Sequence, residues 1–512
     1  MRKWLPLVVV SLGTFMLLVD VTIVNVALPD MAKGLSTSFT SLQWVVDAYA
    51  LALAALLLGI GGLADLIGHR RSYVAGLALF AVSSLVCGLA PNAGVLIAAR
   101  AVQGIGGAAM FATTFALLNA SYQRKDRGIA YGVWGAVSGA SAAIGPVLGG
   151  LLTQGLSWNW IFFVNLPVSV IAIVMALKVL SVDEPLVGGR VDYAGTATFT
   201  VAAGALTFGL IRAGDASWGS WTSWVPMIVS VLALTAFVLI ESRSRYAMVD
   251  LTLFRGRSFV GTLLAALILN VAAFASLTYT SIWLQSVLGL SPIQAGLVGL
   301  PLAGAAFFVS AAIGRLLHNR APGPIIGAGM LLIGLGAVLD ALFLQDSSSW
   351  PALMVGFVVT GIGVGLATPT LSSSAMGAVP VQRGGMASGL VNTMRQFGFA
   401  IGIAVLGSIF ASRAATSFQA AGLPGSGDLS HALAGGQAGR IVAQAGSENA
   451  AATIALVHRA SIAGLQGAFW TAGIAGLVAG VLVLILVRST PTIQQTPAAP
   501  ARERGDEVTS RA

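Results

Sequence analysis

Long apolar stretches of about 20 residues, separated by short polar segments, dominate this chain. A helix rises about 1.5 Å per residue, so such a stretch covers the roughly 30 Å hydrocarbon core of a bilayer. We count fourteen stretches, at approximately 5–28, 43–63, 73–90, 94–118, 129–153, 158–179, 193–212, 222–241, 258–286, 292–314, 323–344, 351–371, 387–411 and 463–487. The pattern therefore predicts an all-α membrane protein with fourteen transmembrane helices.

Basic segments after the sixth and eighth stretches divide the spans into groups of six, two and six. We predict an N-terminal six-helix bundle over residues 1–180, two linker helices over 189–245 and a C-terminal six-helix bundle over 255–488. An Ala-, Gly- and Ser-rich outer loop, 412–462, is expected to be a partly helical linker, with a gate or partner site as the alternative. Residues 489–512 read as a disordered cytoplasmic tail.

A faint internal repeat relates the two six-span groups. Residues 61–71 follow the second span, and the similar segment 314–320 follows the tenth, which is the second span of the last group. Two related bundles around a central site are a common plan for carriers.

The composition agrees with a membrane protein, because 56% of residues are hydrophobic and only 9% are charged. A soluble domain carries about 25% charged residues. The net charge of +9 could suggest nucleic acid, but an excess of Lys and Arg is typical of cytoplasmic loops. We therefore expect a lipid bilayer and no nucleic acid as a partner. Cys87 is the single cysteine, which excludes an intrachain disulfide.

The distribution of basic residues orients the chain. With both termini in the cytoplasm, 20 of the 27 basic residues fall on the inner side. Those predicted outside are Lys33, Arg212, Arg413, Arg440 and Arg459, and those within spans are Arg100 and Arg395. This asymmetry predicts cytoplasmic termini in a plasma (inner) membrane protein.

Asp20 lies in the otherwise apolar first span. A carboxylate within a bilayer costs roughly 3 kcal/mol or more, so it usually has a function. Burial disfavours its charged form and a nearby cation favours it, so it can hold a proton or face a cationic substrate, but not both at once. We interpret Asp20 as the proton-coupling residue, with a structural hydrogen bond between helices as the alternative.

Three further charged residues fall in the outer half of their spans. Arg100 always stays charged and needs a carboxylate or carbonyl partner, so it could adjust the protonation of Asp20 or Asp47, with a purely structural role as the alternative. Asp47 could also simply sit in the outer interface. Asp340 would give the second bundle a substrate-facing acid. Arg395, in the inner half of its span, is interpreted as a structural anchor.

Two further groups of residues could serve conformational change. Asp65, Arg70 and Arg71 lie at the inner mouth, where an acid–base latch could close that side; topology signalling by the arginines is the alternative. In the fifth span, glycines spaced by four allow another helix to approach closely, and a proline can bend the helix. These glycines and the proline could form a tight, moving seam between bundles or static packing: Gly135, Gly139, Gly145, Pro146 and Gly149.

Several motifs in order carry a resemblance to a known family. They are 18–29 (LVDVTIVNVALP) in the first span, 61–71 (GGLADLIGHRR), 100–104 (RAVQG), the span-five glycines with Pro146, 158–167 (WNWIFFVNLP), 283–285 with 289–292, and 392–396 (NTMRQ). Together they resemble the major facilitator superfamily, and more narrowly its 14-span drug:proton antiporter branch, over residues 1 to about 488. Leu66, His69 and Asn159 depart from the usual motif residues.

The resemblance implies a major facilitator fold with two extra linker helices. It also implies export of hydrophobic or cationic drugs or antibiotics, in exchange for protons, by alternating access. The span-five glycines and Pro146 would form the helix associated with antiporters.

No ATP-binding loop, metal cluster or catalytic triad is visible, so we expect a secondary transporter rather than an enzyme, with no cofactor and no metal. The alternatives are a dedicated metabolite or lipid exporter, an importer, or a non-transporting sensor or channel.

Overall fold

The N-terminal half is helical, as the apolar runs predict. The computed structural model describes residues 2–35, 37, 39–181, 191–215, 219–244, 246–316, 320–346, 348–380, 383–444 and 450–487. The first helices are α1 (Leu5–Gly34), α2 (Phe39–Ile67), α3 (His69–Gly88), α4 (Ala93–Ser121), α5 (Arg124–Gly155), α6 (Trp160–Phe163) and α7 (Asn165–Val179). Gly68 separates α2 from α3 with a φ of 97°, a conformation that glycine adopts without strain.

The linker and C-terminal helices follow in the same pattern. They are α8 (Tyr193–Asp215), α9 (Trp221–Glu241), α10 (Arg257–Leu269), α11 (Ser276–Ile282), α12 (Pro292–Val298), α13 (Leu300–Leu316), α14 (Pro322–Phe343), α15 (Met354–Gly377), α16 (Gly384–Ala420), α17 (Ser426–Ala434), α18 (Ala438–Gln444) and α19 (Ala450–Leu486). Two π-helical turns, Asn270–Ala275 and Trp283–Val287, follow α10 and α11 within one continuous span, Arg257–Val287.

The number of membrane spans agrees with the prediction only in part. Within the described residues, twelve helices are long and apolar enough to cross a membrane, or thirteen if a bent pair is one span. Thirteen of the fourteen predicted stretches coincide with these. The remaining stretch, 129–153, lies in α5, a 32-residue helix that begins with Arg124, Lys125 and Asp126 and is not among them. The count of fourteen is therefore not confirmed.

The bent pair is the predicted span 292–314. The axes of α12 and α13 differ by 44° across a break at Gly299. Pro301 follows the break, and its missing N–H cannot bond to the carbonyl of Leu297 four residues earlier. A proline is tolerated in the first turn of the helix that restarts there.

Helices pack within each half, and a smaller set of helix pairs packs between the two halves. In the N-terminal half, α4 packs on α2 and α3, and α1 packs on α5; in the C-terminal half, α14 packs on α15 and α19. Between the halves, α5 packs on α13 and α15, and both α2 and α4 pack on α16. The linker helix α8 packs on α2 and α9. The outward face of α9 is apolar and exposed, as lipid contact requires, with Val231 63% and Leu232 65% exposed.

The predicted outer loop 412–462 is largely helical. α16 continues to Ala420, α17 and α18 follow, and α19 begins at Ala450. The predicted tail, 489–512, lies outside the described residues.

Candidate functional site

A buried ion pair joins α1 to α4. Asp20 on α1 accepts a hydrogen bond at 2.5 Å from Nη1 of Arg100 on α4, and each residue is only 1% exposed. Breaking a buried pair by removing one partner costs about 3–5 kcal/mol, because the other charge is left without compensation. The pair therefore fixes the relative position of these two helices in this conformation.

The other oxygen of the Asp20 carboxylate, Oδ1, is bound by two side-chain amides. Asn165, the first residue of α7, donates to it at 2.9 Å, and Gln103 on α4 donates at 3.2 Å. Both amides also donate to the Ser84 hydroxyl of α3, at 3.1 and 3.2 Å. Four helices, α1, α3, α4 and α7, thus meet at one carboxylate, which we call the Asp20 hub.

Arg100 has further partners that do not depend on Asp20. Its Nε donates to the backbone carbonyl of Val45 at 3.1 Å, and Nη1 also donates to Oε1 of Gln103 at 2.8 Å. Its guanidinium lies 4.2 Å from the ring centre of Tyr49, a cation–π contact. These contacts would retain much of the guanidinium's stabilisation if the carboxylate became neutral. The hub can therefore change the charge of its acid without losing its base.

A second carboxylate connects the two halves. Asp65, near the end of α2, accepts the backbone N–H groups of Gly385 and Met386 at 2.6 and 2.9 Å. These are free donors in the first turn of the 37-residue helix α16. A helix N-terminus carries a partial positive charge, so a carboxylate is favoured there. We call this contact the Asp65 clamp.

Neighbouring groups extend the Asp65 clamp. His69 lies 2.9 Å from Asp65 Oδ1. One and two turns further along α16, Ser388 and Asn392 donate at 3.2 and 3.0 Å to the carbonyl of Phe111 on α4. The two halves are therefore closed against each other on the side that carries Asp65, which the charge distribution predicts to be cytoplasmic.

A surface ion pair lies beside the clamp. Asp250, which precedes α10, lies 3.5 Å from Arg383 at the start of α16, and both side chains are well exposed. The Thr252 hydroxyl donates to Asp250 at 2.6 Å. This hydrogen bond, with the charge of Arg383, lowers the pKa of the Asp250 carboxyl from its usual value.

The glycines of α5 face both halves. A Cβ at Gly135 would lie 3.4 Å from Ser310 Oγ, and one at Gly139 would lie 3.7 Å from the Cβ of Ala306, both on α13. A Cβ at Gly145 would overlap the side chain of Thr22 on α1. Small residues thus let α5 lie between α1 and α13, against both.

The sequence as a whole settles the family of this fold. A profile of the Major Facilitator Superfamily matches residues 10–403. The chain belongs to the Major Facilitator Superfamily.

Curated relatives within the superfamily are drug-resistance and export proteins. The multidrug resistance protein Stp of Mycobacterium tuberculosis (strain CDC 1551 / Oshkosh) is 37% identical over 411 residues, which cover 80% of this chain and 76% of that protein. The tetracenomycin C resistance and export protein of Streptomyces glaucescens is 31% identical over 500 residues, which cover 96% and 93%. The predicted superfamily membership is confirmed.

Solved structures agree at the level of the fold. The proton:xylose symporter XylE, also of the superfamily, superimposes with a TM-score of 0.62 at 11% identity, covering 95% of this chain and 96% of that one. At this identity the likeness shows the fold alone. The protein is thus a multi-pass helical membrane protein of a transporter superfamily.

The structure brings together two of the four charged residues assigned to coupling. Asp20 and Arg100 meet, and Asp47 lies half-buried on α2. Asp340 is buried in the other half, on α14 against Gly356 of α15. The coupling role of all four residues stays a prediction.

The three residues of the predicted inner latch have separate contacts, and Asp65 also lies 2.9 Å from His69. Asp65 binds backbone N–H groups, Arg70 donates to the carbonyl of Leu177 on α7, and Arg71 is exposed. The latch role stays a prediction.

In the α5 motif, Gly149 is buried, while the side chain of Pro146 lies outside the described residues.

Sequence reasoning missed the uncharged members of the Asp20 hub. Gln103 stands one turn after Arg100 and so shares its face of α4, which is a signal that could have identified it. Asn165 lies in the quoted motif 158–167, but its orientation depends on the break between α6 and α7. Ser84 had no distinguishing signal, because serine is common within membrane helices.

Proposed function

We propose that this protein is a proton-coupled exporter of hydrophobic drugs or antibiotics that works by alternating access across the plasma membrane. The superfamily membership and the resistance relatives support export of drugs. The single observation that carries the coupling is the Asp20 hub, in which a buried carboxylate is paired with a base that has its own additional partners.

Proton binding to Asp20 would remove one member of the ion pair. Arg100 would keep the Val45 carbonyl, the Gln103 carbonyl and the Tyr49 ring, so its charge would remain stabilised. The neutral acid would bind α4 more weakly than the carboxylate does, since the Coulomb attraction between the two opposite charges is lost. Protonation therefore loosens α1 from α4.

The two helices that would loosen are connected to the other half, α4 directly and α1 through α5. Phe111 of α4 accepts the bonds from Ser388 and Asn392 of α16. α1 contacts α5 at Thr22 and Gly145, and α5 in turn packs on α13. A change in charge at the Asp20 hub can thus shift the packing between halves, which is what alternating access requires.

Asp20→Asn in proteoliposomes with an imposed pH gradient tests this proposal. We expect the variant to lose gradient-driven accumulation of a dye cargo while retaining downhill dye flux, because its side chain can no longer exchange a proton. A purely structural role for Asp20 would instead lower both rates together, and an unchanged accumulation would refute the coupling role.

The matched control is Asp30→Asn, because Asp30 is exposed on the same helix. It should leave both rates unchanged. A panel of chemically different dyes and antibiotics distinguishes a multidrug exporter from a dedicated exporter of one metabolite or lipid.

A further inference from the structure

Arg395 of α16 lies at the junction of the two halves. Its guanidinium carbon is 5.2 Å from the ring centre of Trp134 on α5 and 5.6 Å from that of Phe115 on α4. The two rings meet edge to face, with centres 4.6 Å apart. A cation of the C-terminal half is therefore held against an aromatic surface of the N-terminal half.

This cation has no acidic partner within the described part of the chain. Its one side-chain hydrogen bond goes to the Ser372 hydroxyl of α15 at 3.4 Å. The four helices that surround it, α4, α5, α15 and α16, carry a single acid, Asp126. Asp126 is bound to Lys3 at 2.7 Å. Arg395 therefore leaves a net positive charge at this junction.

The surroundings of Arg395 suit a planar ligand. Arg395 is only half-buried, so part of its side chain remains accessible. The hydroxyl of Thr368, one turn before Ser372 on α15, is buried and has no partner among the described residues. A guanidinium binds a carboxylate through two parallel hydrogen bonds. Phe115 and Trp134 are 0% and 1% exposed in this conformation, so their faces would stack on a flat ring system once alternating access uncovers them.

We propose that the cargo selected at this junction is an organic anion on a planar aromatic frame, such as an aromatic carboxylate, with Arg395 as the residue that determines the sign of its charge. This inference rests on the proposed function and specifies its substrate class. It opposes the expectation of cationic cargo, because the Asp20 charge that would attract a cation is already neutralised by Arg100.

The charge of the cargo also changes the energetics of exchange. One proton entering while one monovalent cation leaves moves no net charge. One proton entering while one monovalent anion leaves moves two positive charges inward, so transport of an anion would respond strongly to the membrane potential.

Two dyes on the same xanthene frame, anionic fluorescein and cationic rhodamine 123, provide matched probes. Binding to the purified full-length protein in nanodiscs, measured by fluorescence anisotropy, requires no proton gradient. We expect the wild type to bind fluorescein at least tenfold more tightly than rhodamine 123, since a charge-assisted hydrogen bond contributes about 1.5–3 kcal/mol, or roughly tenfold or more in affinity.

Ser372→Asp places a carboxylate against the guanidinium and leaves Arg395 in place. We expect this variant to lose the preference for fluorescein, while Ser372→Ala, which adds no charge, keeps it. Arg395→Gln should lose the preference as well, and Arg413→Gln, an exposed arginine on the same helix, should not. Arg395→Lys should retain the preference for the anion at lower affinity, because the charge remains but the paired geometry is lost.

Equal binding of both dyes, tighter binding of rhodamine 123, or binding of neither dye by the wild type would overturn the inference. So would a preference for fluorescein that survives Ser372→Asp and Arg395→Gln. Transport assays separate this result from the proposed function. Gradient-driven transport of rhodamine 123 but not of fluorescein would refute the anion preference and leave the proposed exporter function standing. Binding of fluorescein as expected, with transport that does not depend on the proton gradient, would refute proton coupling and leave the proposed cargo class standing.

Discussion

The two halves of the molecule treat buried charge differently. In the N-terminal half, Asp20 and Arg100 are each 1% exposed and neutralise one another at 2.5 Å. In the C-terminal half, Asp340 is equally buried, but its Oδ1 has no hydrogen-bond partner among the described residues, and Arg395 has no carboxylate. The same residue types therefore form a connected hydrogen-bond network in one half, and among the described residues show no oppositely charged partner in the other.

The difference follows from the helices around each acid. Asp20 is surrounded by α3, α4 and α7, each of which supplies a polar side chain to the hub. Asp340 lies against Gly356, which offers only backbone, and three residues from the C-terminal end of α14. A helix C-terminus carries partial negative charge and disfavours an anion. Burial alone thus does not distinguish the two acids; their partners do.

The largest effect on this comparison should come from Arg100→Gln. It leaves Asp20 buried without a cation, so we expect a loss of about 3–5 kcal/mol of stability, seen as a lower thermal midpoint in detergent. The double variant Asp20→Asn/Arg100→Gln should recover at least half of this loss, because no uncompensated charge remains. A single variant as stable as the wild type would show that the pair is not compensating a buried charge.

A smaller effect separates the two buried acids directly. Asp20→Asn removes a charged acceptor from three donors, which we expect to cost about 1–3 kcal/mol. This is less than the loss in Arg100→Gln because the guanidinium keeps its other partners. Asp340→Asn should change stability by less than about 0.5 kcal/mol, because no cation or N–H group loses a partner. Thermal midpoints of the two variants, measured side by side, test the difference. Equal losses would mean that Asp340 has a compensated charge and that the two halves are alike.

The smallest effect is expected at the exposed pair of Asp250 and Arg383. This pair shows how much a solvent-exposed ion pair contributes to the stability of the protein. Arg383→Gln should destabilise the protein by less than about 0.5 kcal/mol at neutral pH. Because the pKa of Asp250 is lower in the folded protein than in the unfolded chain, its stabilisation is present above the unfolded pKa of about 4 and is lost as the pH falls through the folded value. Thermal midpoints of variant and wild type should therefore begin to converge below about pH 4 and coincide once the pH lies below the folded pKa. A difference that persists there would point to packing rather than charge.

The sequence predicted much of the fold because apolar runs of membrane length leave few alternatives to a helix. Thirteen predicted spans coincide with helices of the structure. The break at Gly299 was not predicted, since Pro301 is compatible both with a first turn and with a kink. The extension of α16 to Ala420 was missed because the Ala- and Ser-rich segment after 411 is not apolar enough to read as a span, although it can form a helix.

From the sequence, the candidate site could be predicted only where the charge of a residue and its depth in a span identify it. Asp20 and Arg100 could be paired because both are buried charges in the outer half of their spans. Asp340 fits the same depth, but α14 is apolar on every side, so its sequence did not fix which face meets α15. The Asp65 clamp could not be predicted at all, because its partners are backbone N–H groups that any residue except proline provides.

Because these partners are backbone groups, the Asp65 clamp is sensitive to side-chain mutations mainly in the N-terminal half. Nearly every amino acid at positions 385 and 386 would still present the N–H that Asp65 accepts, so the C-terminal half can lose the clamp only through proline or through added bulk. Bulk is excluded at one of these positions, since a side chain at Gly385 would collide with the backbone oxygen of Gly61. Mutations that abolish this closure should therefore occur mainly at Asp65 and as replacements of Gly61 and Gly385. They should be rare among the other residues of the first turn of α16.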